Sequence, residues 1–397
     1  MDFILLLFFI VFLNQILISN IVKRNPLLSK KILNLLFLYH LLFFIIYYVF
    51  AIISRSDSLV YYTKASLAGD DYSLFKYTGT LFIDNFSAPF VSLGFSYESM
   101  MLLYSWFGYI GFVFAYMFFK ENIPVNITVF RNYDLMKLLL FLPNMHFWTS
   151  SLGKGSLIFM GLMIFTYSLK KPRNRILLLL IGGYFVYMIR PPVMLFVLSG
   201  AMFGLLTGRE KISIGLRISL VIASLVFLYG ASTTILAVAK IQNTDNVIED
   251  FQKNSDVQSE RLESTAGSGV AMQSYPLPLK LFTFWFRPLF FDSPSVLGLF
   301  SSVENLIYLL LFLKICNKRF LSFIRKAPYM VKMSAVTFLL ASFAMTFVMS
   351  NLGIIMRQKS MVMYFGFFVI YYFLAEEKWK KDQKEKKYFR ETNLNLE

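Results

Sequence analysis

The stretch FILLLFFIVFLNQILISNIV, residues 3–22, decides the fold class of this 397-residue chain. It holds no charged side chain, and a helix of about twenty residues crosses the roughly 30 Å hydrocarbon core of a membrane. An acidic residue, Asp2, precedes it in place of a basic segment, and no small-residue cleavage site follows it. We therefore expect a retained transmembrane helix and not a secretion signal.

Similar apolar runs recur through the chain, of which 57% is hydrophobic and only 16% charged. Soluble domains are usually about 25% charged, so a water-soluble enzyme is excluded. The sequence predicts an all-α, polytopic integral membrane protein with about eleven transmembrane helices. We assign them to residues 3–22, 32–53, 97–119, 135–149, 155–169, 176–190, 192–208, 213–239, 296–315, 330–350 and 360–375. The fourth and fifth flank the non-helical stretch 148–155, and proline breaks the helix between the sixth and seventh at Arg190-Pro191-Pro192. As an alternative, the fourth and fifth segments, or the sixth and seventh, form a helical hairpin that does not fully cross the membrane.

Basic residues set the predicted orientation. Of the 39 Lys and Arg residues, 27 lie in alternate loops, at 23–31, 120–137, 170–175, 209–217, 314–332 and beyond 377. The positive-inside rule makes these loops cytoplasmic, with the N-terminus outside and the C-terminus in the cytoplasm. We expect a single transmembrane domain, residues 1–377, followed by a basic cytoplasmic tail, 378–397, that faces lipid headgroups.

The opposite, extracytoplasmic side then carries two large loops, at about 54–96 and 240–295. Residues 242–274 are polar with a Gly/Ser-rich centre and are typical of a mobile lid. We expect the chemistry of the protein on this side.

Several classes of chemistry are excluded. The single cysteine, Cys316, and the two histidines, His40 and His146, do not suffice for a disulfide or a multi-histidine metal site. No phosphate-cradling P-loop, GxGxxG or GxSxG motif is present. We therefore predict no cofactor and no metal. The net charge of +16 belongs to one membrane face and does not indicate nucleic acid.

Six basic residues on the predicted extracytoplasmic side run against the charge rule: Lys154, Arg190, Arg261, Arg287, Arg357 and Lys359. A cation at a helix end, often beside a proline, suits an anionic group such as a pyrophosphate, which arginine binds with a bidentate fork. The alternative is that these side chains extend to the interface or pair with carboxylates.

Two residues are candidates for a general base. Asp57 directly follows the second apolar run, close to the membrane surface, and His146 lies in LPNMHFWTSS at the end of the fourth. A capping role for Asp57 and a structural hydrogen bond for His146 remain alternatives, and His40 is predicted to be buried between helices. Tyr61, Trp148 and Trp285 are candidates for stacking on sugar rings, although membrane-interface belts also explain such aromatic residues.

The segments LPNMHFWTSSLGKGSLIF, YMIRPP, YPLPLKLFTFWFRPLFFD with SSVENLIYLL, and SNLGIIMRQKSMVM occur in this order. Together they resemble the pattern of bacterial oligosaccharide repeat-unit polymerases, the Wzy-type enzymes of O-antigen and exopolysaccharide synthesis. The resemblance covers residues 54–375. The chain departs from the pattern at Gly155, where these polymerases often carry an acidic residue, and at Pro192, where they often carry histidine.

The resemblance implies a GT-C-like glycosyltransferase at the outer face of the bacterial cytoplasmic membrane. It would transfer a glycan from undecaprenyl diphosphate to the hydroxyl of a second lipid-linked repeat unit, without a nucleotide. It implies that Asp57 or His146 takes the acceptor proton and that a lid at 240–275 closes over the sugar. The implied diphosphate ligands are Arg190, Arg287 and Arg357, with Lys154 and Arg261 in reserve, and the sugar contacts are Tyr61, Trp148, Trp285 and Gln358.

Two other functions remain open. An O-antigen ligase, or another GT-C transferase using a lipid-linked sugar, would employ the same donor chemistry. A lipid-linked oligosaccharide flippase or other transporter would show paired halves and charges inside its helices. The apolar runs are nearly free of charge, which favours chemistry at the surface. The sequence leaves open whether a chain-length regulator or a flippase associates with the protein.

Overall fold

The computed structural model describes residues 2–54, 56–68, 77–210, 212–238, 252, 254–259, 269–293 and 296–394. These residues are almost entirely helical. The helices are α1 (Asp2–Arg24), α2 (Lys30–Ile53), α3 (Asp57–Ala68), α4 (Thr80–Ser92), α5 (Tyr97–Asn122), α6 (Leu135–Leu140), α7 (Pro143–Thr149), α8 (Lys154–Leu169), α9 (Ile176–Ile189), α10 (Pro191–Thr207), α11 (Ile214–Val238), α12 (Leu277–Phe286), α13 (Val296–Leu313), α14 (Lys318–Arg325), α15 (Tyr329–Val348) and α16 (Leu352–Leu394). Two short strands of two residues each, β1 (Thr128–Val129) and β2 (Tyr133–Asp134), pair in an antiparallel hairpin. Residues Pro172–Arg175 and Met272–Ser274 form 3₁₀ turns.

Helix length and composition confirm a helical membrane protein. Five described helices, α1, α2, α5, α11 and α15, are long and apolar enough to cross a membrane. A sixth is added if α13 and α14, which meet at 80°, form one broken span. The count of eleven spans stays a prediction, because several apolar runs give short helices. The fourth run is split into α6 and α7, and α7 begins at Pro143, which cannot donate the backbone hydrogen bond of a continuous helix.

Two predicted connecting segments contain helix in the structure. The segment 54–96, predicted as a loop, contains α3 and α4. The last two predicted spans are separated by residues 351–359, but α16 begins within that interval at Leu352 and continues through the predicted tail as far as Leu394. The tail is helical because its Lys and Glu residues are good helix formers and pair one turn apart. The Nζ of Lys380 lies 2.8 Å from the Oε1 of Glu376.

The helices differ in how much of their surface the protein covers. In α8 every residue from Ser156 to Leu169 is buried, and 78% of the most apolar window of α5 is buried. The corresponding fraction is 17% in both α1 and α11, which have mean hydropathies of 2.4 and 2.0. Helices α5 and α8 therefore form the core, whereas α1 and α11 expose apolar faces suited to lipid.

A glycine seam, formed by Gly200, Gly204 and Gly208, joins α10 and its C-terminal end to α15. The spacing of four residues puts these glycines on one face of the helix. A Cβ atom on Gly204 would lie 2.4 Å from the carbonyl oxygen of Tyr329, and one on Gly200 would lie 2.7 Å from that of Met333. Small residues at this spacing let two membrane helices approach closely.

Replacing Gly204 by alanine is therefore expected to lower the thermal unfolding midpoint of the detergent-purified protein by several degrees. The added methyl group meets backbone that must move, and overpacking costs about 1–3 kcal/mol. Gly230→Ala in α11 is the matched control, because a Cβ there meets nothing within 4 Å. Equal midpoints for the two variants would contradict the close approach of α10 and α15.

Candidate functional site

A polar cavity of about 90 Å³ lies where α3, α8, α10 and α16 begin. Segments far apart in the sequence contribute its walls, including the turn between α7 and α8 and the residue between α9 and α10. Six of the eleven predicted site residues line it: Asp57, Tyr61, Trp148, Lys154, Arg190 and Arg357. The structure therefore brings together the base candidate Asp57, two aromatic candidates and three of the cations.

Local backbone features position each cation. Lys154 is the first residue of α8, and its Nζ donates to the Oγ1 of Thr80 at 2.7 Å. A Cβ on the next residue, Gly155, would lie 2.2 Å from the carbonyl oxygen of Trp148, so glycine allows α8 to begin this close to α7. Arg190 lies between the end of α9 and the start of α10 at Pro191, and Arg357 lies in the second turn of α16.

Positive charge exceeds negative charge in the cavity walls, with three cations against the one carboxylate of Asp57. The Nη1 of Arg357 lies 2.8 Å from the Oδ2 of Asp57. Within the described part of the chain, no carboxylate lies within ion-pair distance of Lys154 or Arg190, and the buried Nε of Arg190 has no hydrogen-bond partner. Guanidinium groups held in this way form a site for an anion.

A second carboxylate, Asp84, lies near this cavity without lining it. It is one turn along α4 from Thr80 and only 4% exposed. Burial raises the pKa of Asp84, and the positive charges of Lys64 and Lys154 oppose this rise. Its carboxylate therefore offsets part of the charge of Lys154.

The two aromatic candidates in the wall, Trp148 and Tyr61, have different surroundings. The indole Nε1 of Trp148 donates to the Oδ1 of Asn144 at 3.1 Å, and the backbone N–H of Asn144 donates to the Oε2 of Glu304 at 2.7 Å. Burial raises the pKa of Tyr61, the charge of Asp57 raises it further, and that of Arg357 opposes the rise. The hydrogen bond of Trp148 fixes the orientation of its ring beside the cations.

A larger, mainly apolar cavity of about 340 Å³ shares Lys154 and Arg190 with the polar cavity. Side chains from α10 and α15, among them Val193, Phe196 and Met345, form much of its wall. The two cations thus lie where a polar compartment meets an apolar one. This arrangement suits an amphiphile that has an anionic head and an apolar tail.

His146 is not at this site, contrary to its prediction as a base. Its side chain is fully buried, and its Nδ1 lies 2.8 Å from the Nδ1 of His40. Its Nε2 lies 2.8 Å from the carbonyl oxygen of Leu140, and its ring stacks on Phe112 at 3.8 Å. Because both ring nitrogens have partners inside the protein, the geometry favours the structural alternative. His40 is buried between helices, as its sequence position predicts.

Arg287 and Trp285 are also absent from both cavity walls. The guanidinium of Arg287 pairs with the carboxylate of Asp292, which lies five residues away in the same segment. The Nε1 of Trp285 donates to the Oγ of Ser342 at 2.9 Å, and its ring stacks against Phe312 and Phe338. Local pairing and packing thus satisfy both side chains.

Two further predictions lie elsewhere. Gln358 is 4% exposed and lines neither cavity, because it falls on the inner face of α16. Arg261 lies outside the described residues, as does most of the predicted lid, 240–275.

A buried polar cluster between α13 and α16 was not part of the predicted site. The Nζ of Lys359 donates to the Oδ1 of Asn305 and, at 3.0 Å, to the carbonyl oxygen of Arg287. Glu304 accepts from the hydroxyl of Tyr308 as well as from the backbone of Asn144. The available signal was the presence of Glu304 and Asn305 inside an otherwise apolar run.

Within the described ranges, no group of three or more His, Cys, Asp or Glu side chains is arranged to hold a metal ion. Comparison with protein-family models, with curated proteins and with solved structures gives no match. The fold and the site define a helical membrane protein with a cationic cavity that borders an apolar one.

The histidine pair yields a stability prediction. His40→Ala and His146→Ala should each lower the thermal midpoint, because each leaves the other imidazole without its partner. The double variant should lose less than the sum of the two single losses. The measurement is thermal unfolding of the four proteins in one detergent. Strictly additive losses would contradict the 2.8 Å contact between the rings.

Proposed function

We propose that the protein is a membrane glycan polymerase that joins oligosaccharide repeat units carried on undecaprenyl diphosphate. One observation carries the proposal: three cations surround a polar cavity, and two of them also border an adjoining apolar cavity. A lipid diphosphate has the matching form, with its charge at the head and a hydrocarbon tail beside it. The order of motifs in the sequence supports the same substrate.

The proposed reaction is a glycosyl transfer. The hydroxyl oxygen of the acceptor sugar forms a bond to the anomeric carbon of the donor glycan. The bond between that carbon and the diphosphate oxygen breaks, and undecaprenyl diphosphate leaves with the electron pair. Lys154, Arg190 and Arg357 stabilise the negative charge that develops on this leaving group. The substrate arrives activated, so the reaction needs no nucleotide.

Asp57 is the proposed acceptor of the hydroxyl proton. It lines the polar cavity, and its side chain is 63% exposed, so an incoming sugar has access to it. In the unliganded protein its carboxylate pairs with Arg357. A bound diphosphate competes for that guanidinium, which frees Asp57 to act as a base. Tyr61 and Trp148 provide stacking surfaces for the sugar rings on the same wall.

A specific observation favours transport of the lipid-linked sugar as a second candidate. Glu304 and Lys359 are 2% and 1% exposed, and they lie within the helices α13 and α16. Buried ionisable groups in membrane helices often mark a transport pathway. Elongation by the purified protein without any ion gradient supports the polymerase, whereas movement of unelongated sugar across a sealed vesicle supports transport.

Replacing Arg190 or Arg357 by alanine is expected to reduce chain elongation about 100-fold or more, because each removes a donor to the leaving diphosphate. Lysine at either position should restore part of the rate, since it keeps the charge but not the fork. The measurement is elongation of undecaprenyl-diphosphate-linked repeats in proteoliposomes. Arg173→Ala, on the exposed Pro172–Arg175 turn, is the matched control. Normal elongation by both alanine variants would remove the assignment. Transfer to a lipid A acceptor in place of a repeat unit would indicate a ligase.

The joined cavities predict selective binding of a short analogue, farnesyl diphosphate. Arg190→Ala should weaken its binding, and that of inorganic pyrophosphate, by about ten-fold. Val348→Trp, which fills the apolar cavity, should weaken farnesyl diphosphate but leave pyrophosphate unchanged. Titration calorimetry on the detergent-purified variants measures both ligands. Equal effects of the two substitutions on both ligands would contradict the division into an anionic and an apolar compartment.

A further inference from the structure

A second charged pocket lies far from the proposed active site, beyond the C-terminal end of α10 and between α14 and the middle of α16. It has a volume of about 360 Å³, and the loop after α10, the helix α14 and the helix α16 all contribute to it. Its charged lining residues are Arg209, Arg319, Lys326, Lys380, Glu376 and Glu377. None of them belongs to the site described above.

The spacing along α16 relates the two sites. Arg357 in the polar cavity and Glu376 in this second pocket are both in that helix. A rise of 1.5 Å per residue separates them by about 28 Å along the helix axis, close to the thickness of the hydrocarbon core of a bilayer. If α16 crosses the membrane, the two pockets lie at opposite interfaces.

The second pocket also carries an excess of positive charge. Glu376 accepts from Arg209 at 3.0 Å and from Lys380 at 2.8 Å, so the one largely buried carboxylate is already paired with two cations. Arg319 lies 3.7 Å from Glu377. Among the described residues, no carboxylate lies within ion-pair distance of Lys326. Four cations against two carboxylates leave the pocket able to accept an anion.

The surroundings of the pocket fit a lipid. Helix α14 packs Phe320 and Phe323 against Phe373 of α16, and its basic side chains face the pocket and solvent. Leu206, three residues before Arg209, is 58% exposed, and Leu321, beside the pocket residue Ser322, is 59% exposed. Exposed leucines beside a basic pocket suit the acyl chains and the headgroup of the same molecule.

We propose that this pocket binds a phosphate group, and that the phosphodiester headgroup of an anionic phospholipid supplies it. Lys326 and the 82% exposed Arg319, whose ion pair with Glu377 is long at 3.7 Å, provide the main contacts, because Arg209 and Lys380 are committed to Glu376. The site is independent of the proposed polymerase activity, since it shares no residue with the polar or the apolar cavity.

The test uses native mass spectrometry of the full-length, detergent-purified protein with added phosphatidylglycerol. Arg319→Glu with Lys326→Glu should weaken phosphatidylglycerol binding at least ten-fold and leave phosphatidylcholine binding unchanged. Lys30→Glu with Lys31→Glu is the matched control, because it makes the same charge change at exposed positions outside the pocket and should keep binding within two-fold. The side chain of Arg319 is 82% exposed, so the first variant is expected to fold, and its thermal midpoint checks this.

A competition arm identifies the source of the phosphate. A lipid site is supported by two results together. The Arg319→Glu, Lys326→Glu variant loses phosphatidylglycerol binding, and millimolar glycerol phosphate does not displace phosphatidylglycerol from the wild-type protein. Displacement by glycerol phosphate supports the same pocket with a soluble phosphate as its ligand. Wild-type affinity for both compounds in a folded Arg319→Glu, Lys326→Glu variant would overturn the proposal. Lys326→Ala alone, with a several-fold weaker affinity, provides a milder second test.

Discussion

The close contact between α10 and α15 is the constraint on which the site depends. Membrane helices gain little from hydrophobic burial against each other, so they need small residues or polar contacts to associate. Gly204 is such a small residue, because no side chain separates its backbone from that of Tyr329. The contact fixes where α10 begins and therefore where Arg190 lies. It also forms the apolar cavity from the diverging ends of the same two helices.

Uncompensated positive charge is the feature that the proposed active site and the second pocket share. Buried cations without partners destabilise a protein, since desolvation costs more than the surrounding dipoles return. The polar cavity nevertheless keeps the Nε of Arg190 buried and without a hydrogen-bond partner, and its one carboxylate, Asp57, pairs with Arg357. Such an arrangement is expected where a ligand brings the missing negative charge. It contrasts with Arg287, whose charge Asp292 balances within one short segment.

The sequence predicted which residues lie together where their position relative to the apolar runs was enough to place them at one face. Lys154, Arg190 and Arg357 each lie beside an apolar run on the predicted extracytoplasmic side, and the structure brings them together. Position alone did not reveal that Asp292 neutralises Arg287, or that His40 meets His146 across more than 100 residues. Helix α4 was missed because Thr80 and Asp84 lie in a segment that the hydropathy pattern assigned to a loop. The glycine seam was visible as three glycines four residues apart, but only the fold shows which helix they contact.

The unbroken length of α16 has a mechanical consequence. From Leu352 to Leu394 the helix contains no proline, and Phe338 packs beside Gly366, at 3.1 Å from where a Cβ would be. A helix without a break resists axial compression and moves as a stiff rod. Any axial displacement of Arg357 on engaging a ligand would therefore shift Glu376 by the same amount. Arg357 and Glu376 therefore keep a fixed separation along the helix axis, whichever of the two pockets a ligand occupies.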